Sequence, residues 1–219
     1  MKKLVLATLA TTMLLSAAAT AFAVDVYKVQ KAASPIKVDG VLTEFAGVPS
    51  IDLVLPDGGA AKCQVMWDEK ALYFAFTVAD GTQSNAATGG SIWQGDNVQI
   101  SLDPENDKNA GGYAGDDFEF GFALTDEIGL DSYAWKLADG VDFDPALQKF
   151  AVVHKGDVTI YEIVLPAAQI APTSLKKGSV FGADVLVNDD DGEGRQYVEW
   201  TPGIGASKDP GSYNDFALQ

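Results

Sequence analysis

Cysteine and histidine each occur once in the 219 residues, as Cys63 and His154. A lone cysteine excludes any intramolecular disulfide, so stability must come from a hydrophobic core. A serine or cysteine nucleophile with a histidine base has no support either, because the Gly-x-Ser-x-Gly elbow is absent as well. Zinc chemistry, which draws on several His and Cys ligands, is equally unsupported. Basic residues are scarce: 15 Lys and Arg stand against 31 Asp and Glu, a net charge of −16. Such a surface repels phosphate backbones and anionic headgroups, which makes nucleic acid and membrane surfaces poor partners and leaves cations as good ones. A glycosidase-like carboxylate pair has many acids to draw on, but abundance alone assigns none, and the chain is read as non-enzymatic.

Long apolar runs are missing too, apart from Leu4 to Ala19. Lys2 and Lys3 precede that run and Ala21-Phe22-Ala23 ends it in a small-x-small pattern. Together they read as a secretory signal over residues 1–23, shorter than the roughly 20 apolar residues a spanning helix requires. No cysteine lies beside the cleavage site, which argues against a lipoprotein. The expected product is residues 24–219, secreted or periplasmic, with no membrane insertion after cleavage.

No segment holds the 3.6-residue period of an amphipathic helix. Short alternating runs rich in Val, Ile, Phe and Tyr recur instead, bounded by Gly, Asp, Asn and Pro. The clearest pair is 60–67 and 72–80, joined by Asp68-Glu69-Lys70-Ala71, with Cys63, Val65 and Trp67 sharing one face and Leu72, Phe74, Phe76 and Val78 the matching one. Further strands are expected at 98–102, 118–124, 132–137, 150–154, 159–165, 181–187 and 197–201. Lys155-Gly156-Asp157 supplies a second hairpin turn, and Pro166 to Ile170 suits a single helical turn. With no Pro/Ser-rich linker, residues 24–219 read as one all-β domain, an antiparallel β-sandwich of the jelly-roll or immunoglobulin-like two-sheet kind.

Several motifs recur in a shared order: Pro35-Ile36-Lys37-Val38-Asp39-Gly40, Trp67-Asp68-Glu69 with Leu72-Tyr73, Val78-Ala79-Asp80, and Trp93-Gln94-Gly95-Asp96-Asn97-Val98 running to Asp103. They continue through Asp116-Asp117-Phe118, Tyr161-Glu162, Val187-Asn188-Asp189, Glu199-Trp200 and Lys208-Asp209-Pro210 with Tyr213. In this order the chain resembles carbohydrate-binding module family 9, a β-sandwich module of secreted xylanases related to DOMON-like domains. The resemblance implies a non-catalytic module that holds oligosaccharide or polysaccharide between two tryptophans, with calcium ions bracing its loops. Trp93 matches one stacking tryptophan, whereas Ser207 stands where the second would be. Gln99 replaces a usual glutamate, Gly121 a sugar-contacting arginine and Leu186 a glutamine.

Trp93 follows Gly89-Gly90-Ser91, so its ring is either a ligand platform on a loop or a cap over the end of the core. Tyr113, between glycines at 112 and 115, is the better candidate to replace the missing tryptophan, while Trp135 and Trp200 read as strand residues, an exposed second wall being the alternative for each. Asp189, Asp191 and Glu193 alternate ahead of Gly194 and offer oxygen ligands to a calcium ion; the alternative is a solvated acidic turn. Asp80 and Asp96 are further metal candidates at the sandwich edge, and Asp103, Glu105, Asn106 and Asp107 form a second acidic loop. The alternative function is a periplasmic DOMON-like domain with a decayed sugar site, serving as a protein-interaction or b-haem module. Because some relatives bind haem through Met with His or Lys, that version would rest on Met66 with His154 or a lysine.

Overall fold

The computed structural model describes residues 26–192 and 194–219; the expected signal sequence 1–23 and Glu193 lie outside the described residues. Twelve strands are formed there: β1 (Val26–Lys31), β2 (Ser50–Val54), β3 (Ala60–Trp67), β4 (Ala71–Ala79), β5 (Asn97–Asp103), β6 (Phe118–Thr125), β7 (Gly129–Lys136), β8 (Lys149–His154), β9 (Val158–Pro166), β10 (Val180–Asp189), β11 (Gln196–Glu199) and β12 (Asn214–Leu218). Helical structure among the described residues is limited to short 3-10 turns, including Gly89–Gln94 and Ala167–Gln169, the latter inside the expected Pro166 to Ile170 turn. None of the described helices is long and apolar enough to cross a membrane.

The strands run in the order β7-β6-β5-β10-β12-β1-β3-β4-β9-β8, with β11 added to β10 and β2 to β3. Here the sequence-based expectation of two separate antiparallel sheets is corrected. Val26 to Val29 of β1 pair in parallel with β12, and Gln30 and Lys31 pair in parallel with β3, so one strand joins the two halves into a near-barrel. The reason is topological: β1 has no hairpin partner, and neither neighbour is tied to it by a tight turn that would impose antiparallel pairing.

The hairpin of β3 and β4 takes the expected register, with Cys63 opposite Phe76, Val65 opposite Phe74 and Trp67 opposite Leu72. All six are buried in one core. Phe216 on β12 ties the halves together, its ring centroid 5.6 Å from Tyr27, 6.2 Å from Phe74, 5.9 Å from Phe181 and 5.9 Å from Trp200. On the opposite face of β3, Met66 packs with Phe45, Val48, Tyr73 and Ala75 in a smaller cluster.

Candidate functional site

Alternation along β5 sends Val98, Ile100 and Leu102 into the core, so Asn97, Gln99, Ser101 and Asp103 project from the other face. That second face is also closed, since all seven β5 residues are buried. The chain following β11 crosses it: Ile204 and Tyr213 pack on Leu186, and the Tyr213 hydroxyl donates to Ser101 Oγ at 2.5 Å. A cleft of about 290 Å³ remains, lined by Trp93, Gln99, Glu119, Trp135, Arg195, Gly205 and Lys208.

Each wall of the cleft is held by identifiable contacts. The 3-10 turn carrying Trp93 is pinned where Asn85 and Asn97 both donate side-chain amides to the Ile92 carbonyl, at 2.8 and 2.6 Å. Ile92 is fully buried, with its Cδ1 3.3 Å from where a Gly121 Cβ would be, and Trp93 is left 40% exposed, so the ring belongs to the surface of the cleft. Trp135 donates its indole N–H to the Gly90 carbonyl at 2.9 Å and lays its ring over Gly121. A Cβ at position 121 would sit 2.4 Å from the Trp135 ring, which explains the glycine where the family resemblance leads one to expect an arginine. Gly205 is required in the same way by the Tyr197 ring, 2.4 Å from where its Cβ would be.

The charged side chains complete the site. The Arg195 guanidinium lies over the rings of Trp93, 5.2 Å from its centroid, and Tyr197, 4.4 Å away, while its Nε donates to Asn188 Oδ1 at 2.5 Å. Partial burial pulls it below the ordinary arginine value, an effect opposed by Tyr197 and Glu199. Lys208, in the left-handed backbone region at φ 50°, places Nζ 2.5 Å from Glu119 Oε1. The other Glu119 oxygen accepts the Tyr113 hydroxyl at 2.6 Å.

Of the residues expected to contact sugar, Trp93 and Gln99 meet at the cleft and Tyr113 does not line it. Tyr113 packs its ring with Leu186, Ile204 and Tyr213 and spends its hydroxyl on a buried carboxylate, a better place for an amphipathic ring than open solvent. Ser207 turns its hydroxyl to the Pro202 carbonyl, and the Arg195 guanidinium over Tyr197 lines the cleft with Trp93. Trp135, the alternative second wall from its sequence reading, lines the cleft, whereas Arg195 and Glu119 carried no local sequence signal and only their convergence in space identifies them.

The acidic residues separate into two clusters. Asp57, Asp189 and Asp191 bring carboxylate oxygens within 4.8 Å of one another beside a cavity of about 300 Å³. Asp189 and Asp191 were expected here, whereas Asp57 comes from the turn after β2. Asp80 and Asp96 do not converge with this set among the described residues, and their oxygens accept hydrogen bonds of their own. Asp80 takes the Thr82 amide at 2.8 Å and the Thr159 hydroxyl at 2.7 Å, and Asp96 takes the amides of Ser84 at 2.5 Å and Asp190 at 2.7 Å. Burial, with the charges of Asp80 and Asp189 adding to it, pushes Asp96 up to about 7. Asp189 rises to about 6 through burial and then Asp191, Asp80 and Asp57.

In the second cluster Asp103, Asp116 and Asp117 lie equally close. Asp117 is fully buried, with one oxygen accepting the Ala114 amide at 2.5 Å and the other without a partner. Burial and the neighbouring Asp103 and Asp116 push its carboxyl to about 6. From the acidic loop expected at 103–107, only Asp103 takes part; Asn106 turns away to donate to Asp215.

Met66 and His154 are not brought together. They lie on β3 and β8, three strand spacings apart, roughly 14 Å, and at opposite ends of the register. His154 instead has Thr159 Oγ1 2.9 Å from its Nδ1, and it forms no axial pair with Met66.

An all-β fold with an aromatic cleft on one face and carboxylate-rich loops defines a binding module built around its loops. A family model described as carbohydrate family 9 binding domain-like matches residues 49–219. The chain therefore belongs to that family. Among curated proteins it is 28% identical over 167 residues to endo-1,4-beta-xylanase A of Thermotoga maritima and 26% identical over 174 residues to exoglucanase XynX of Acetivibrio thermocellus. These matches take in 75% and 78% of this chain but only 14% and 15% of those proteins. Among solved structures, a carbohydrate-binding module family 9 from Caldicellulosiruptor kristjanssonii in complex with cellotriose has a TM-score of 0.72 at 20% identity, covering 89% of this chain and 94% of that one. At that identity the likeness establishes the shared fold.

Proposed function

We propose that this chain is an exported, non-catalytic carbohydrate-binding module that seats a sugar in the cleft beside Trp93. The observation that carries the reading is Trp93 itself, a large ring held 40% exposed on a pinned turn while its neighbour Ile92 is fully buried. A pyranose ring offers one apolar face of C–H groups to such a platform and a rim of hydroxyls to Gln99, Glu119 and Lys208, the usual combination of apolar wall and a few placed polar groups. Tyr113 serves as a positioning residue that fixes Glu119. The Lys2-Lys3 start, the apolar run and Ala21-Phe22-Ala23 support export to the periplasm or beyond.

Two calcium braces belong to the same proposal. Asp57, Asp189 and Asp191 would hold one ion, with Glu193 adjoining in sequence, and Asp103, Asp116 and Asp117 a second. The donor sets fit, being all oxygen as hard cations require, and Asp117 has an unsatisfied buried oxygen. Their contribution is structural, neutralising crowded carboxylates and fixing loops at the two opposite ends of the β5–β10 pair.

The test is calorimetric titration of residues 24–219 in millimolar calcium with xylo-, cello- and manno-oligosaccharides and their monosaccharides. Saturable heat is expected with at least one series and is expected to vanish in Trp93→Ala. An absence of heat with all of them would refute the sugar-binding reading.

A further inference from the structure

Arg195 is the single arginine among the 15 basic residues, and it is partly buried, yet no carboxylate pairs with it among the described residues. Nearby acids are engaged elsewhere. Glu119 is taken by Lys208 and Tyr113, and a Glu199 oxygen accepts the amides of Ile204 at 3.0 Å and Gly205 at 2.6 Å. The lining of the cleft thus carries two cations and one carboxylate, a local positive excess on a strongly acidic molecule.

Arg195 is also held in a set pose. Its Nε donates to Asn188, its Cζ lies over the rings of Trp93 and Tyr197, and no hydrogen bond engages its two terminal nitrogens among the described residues. A guanidinium fixed in this way presents a planar fork of donors matched to a carboxylate, and its partial burial makes a charge-assisted pair stronger than it would be in water.

We infer that the cleft selects sugars bearing a carboxylate, the uronic acids, with Arg195 as the principal contact and Lys208 on the same lining residues as a second cation. This inference rests on the cleft being the sugar site and names the class of sugar it takes. The acid group would sit at the edge of the guanidinium while the pyranose lies against the Trp93 ring system. In a chain of net charge −16 such a ligand gains nothing from the general field, so the selectivity must arise at this one place.

The experiment is calorimetric titration of residues 24–219 with trigalacturonate and its methyl ester, which differ in charge but hardly in shape, alongside xylotriose and xylotriose bearing a glucuronic acid branch. The charged member of each pair should bind at least about tenfold more tightly than the neutral one, equivalent to about 1.4 kcal/mol. That ratio should shrink as salt is raised and fall to about one in Arg195→Gln, with partial recovery in Arg195→Lys; unchanged circular dichroism and melting temperature would show the variants folded. Equal affinities within both pairs, or a ratio untouched by Arg195→Gln, would overturn the uronic-acid inference and leave the sugar site intact. No binding of any of the four, nor of the neutral series above, would overturn both.

Discussion

Two tryptophans on the same chain do opposite jobs, and the difference lies in what each ring touches. Trp67 is buried on β3 among core side chains, while Trp93 is 40% exposed over a cleft. Trp67→Ala should cost about 3–5 kcal/mol of folding stability by chemical denaturation. Trp93→Ala should leave the melting temperature nearly unchanged and remove sugar binding; a large loss of stability would mean that the ring is part of the core. Gly121 is the complementary case, where the absence of a side chain makes room for one. Gly121→Ala would force a Cβ 2.4 Å from the Trp135 ring and should destabilise by about 1–3 kcal/mol, with Trp135 fluorescence shifting as the ring is displaced.

At the scale of elements, β12 and the loops around β10 matter most. Phe216 meets rings from β1, β4 and β10 and from Trp200 after β11, so it is where the two halves of the barrel share one core. Phe216→Ala should cost about 3–5 kcal/mol, and far-UV and near-UV signals should be lost together in urea, because neither half has a separate core to retain. The acidic loops behave differently, since their carboxyls are held above the ordinary range by burial and by one another. Asp96 at about 7, and Asp117 and Asp189 at about 6, bind protons in the folded chain that they release in the unfolded chain between about pH 4 and pH 7. Their contribution to stability is therefore present at low pH and lost as pH rises through those values. In chelator, the melting temperature should fall between pH 5 and pH 8, and a flat or rising profile there would contradict this origin.

Over the whole molecule, a net charge of −16 disfavours the compact state through self-repulsion, and the repulsion concentrates where carboxylates converge. Millimolar calcium should raise the melting temperature of residues 24–219 at pH 7 and flatten its decline with pH, because a ligand bound only to the folded state must stabilise it. Asp117→Asn, which removes a charge at the buried cluster, should reduce the calcium-dependent part of that shift. An identical melting curve in calcium and in chelator would remove both braces from the account. The same charge distribution makes Arg195 and Lys208 stand out, since a positive cleft on a negative surface can distinguish ligands by charge as well as by shape.

The strands of the core could be read along the chain because alternation is a local property. Cys63, Val65 and Trp67 against Leu72, Phe74 and Phe76 follow from period two and a short turn, and the structure keeps that register. Trp93 and Gln99 were legible through motif order, and Asp189 and Asp191 through spacing within one loop. Long-range pairing was not legible in this way. β1 and β12 are short and find their partners across the length of the chain, so nothing nearby in sequence specified the parallel pairing that joins the two halves. The polar face of β5 alternates like a solvent-facing one, yet it is buried because Tyr213, more than a hundred residues later, folds over it. Tyr113 likewise looked exposed among glycines until Glu119 supplied an acceptor for its hydroxyl. Sequence alone determined the class of fold, the composition of the core and which loops are acidic, all of which depend on residues close together in the chain. Only the tertiary structure decided that Asp57 joins Asp189 and that Arg195 lies between Trp93 and Tyr197, because a site is made of distances and these residues meet only after the sheets have closed.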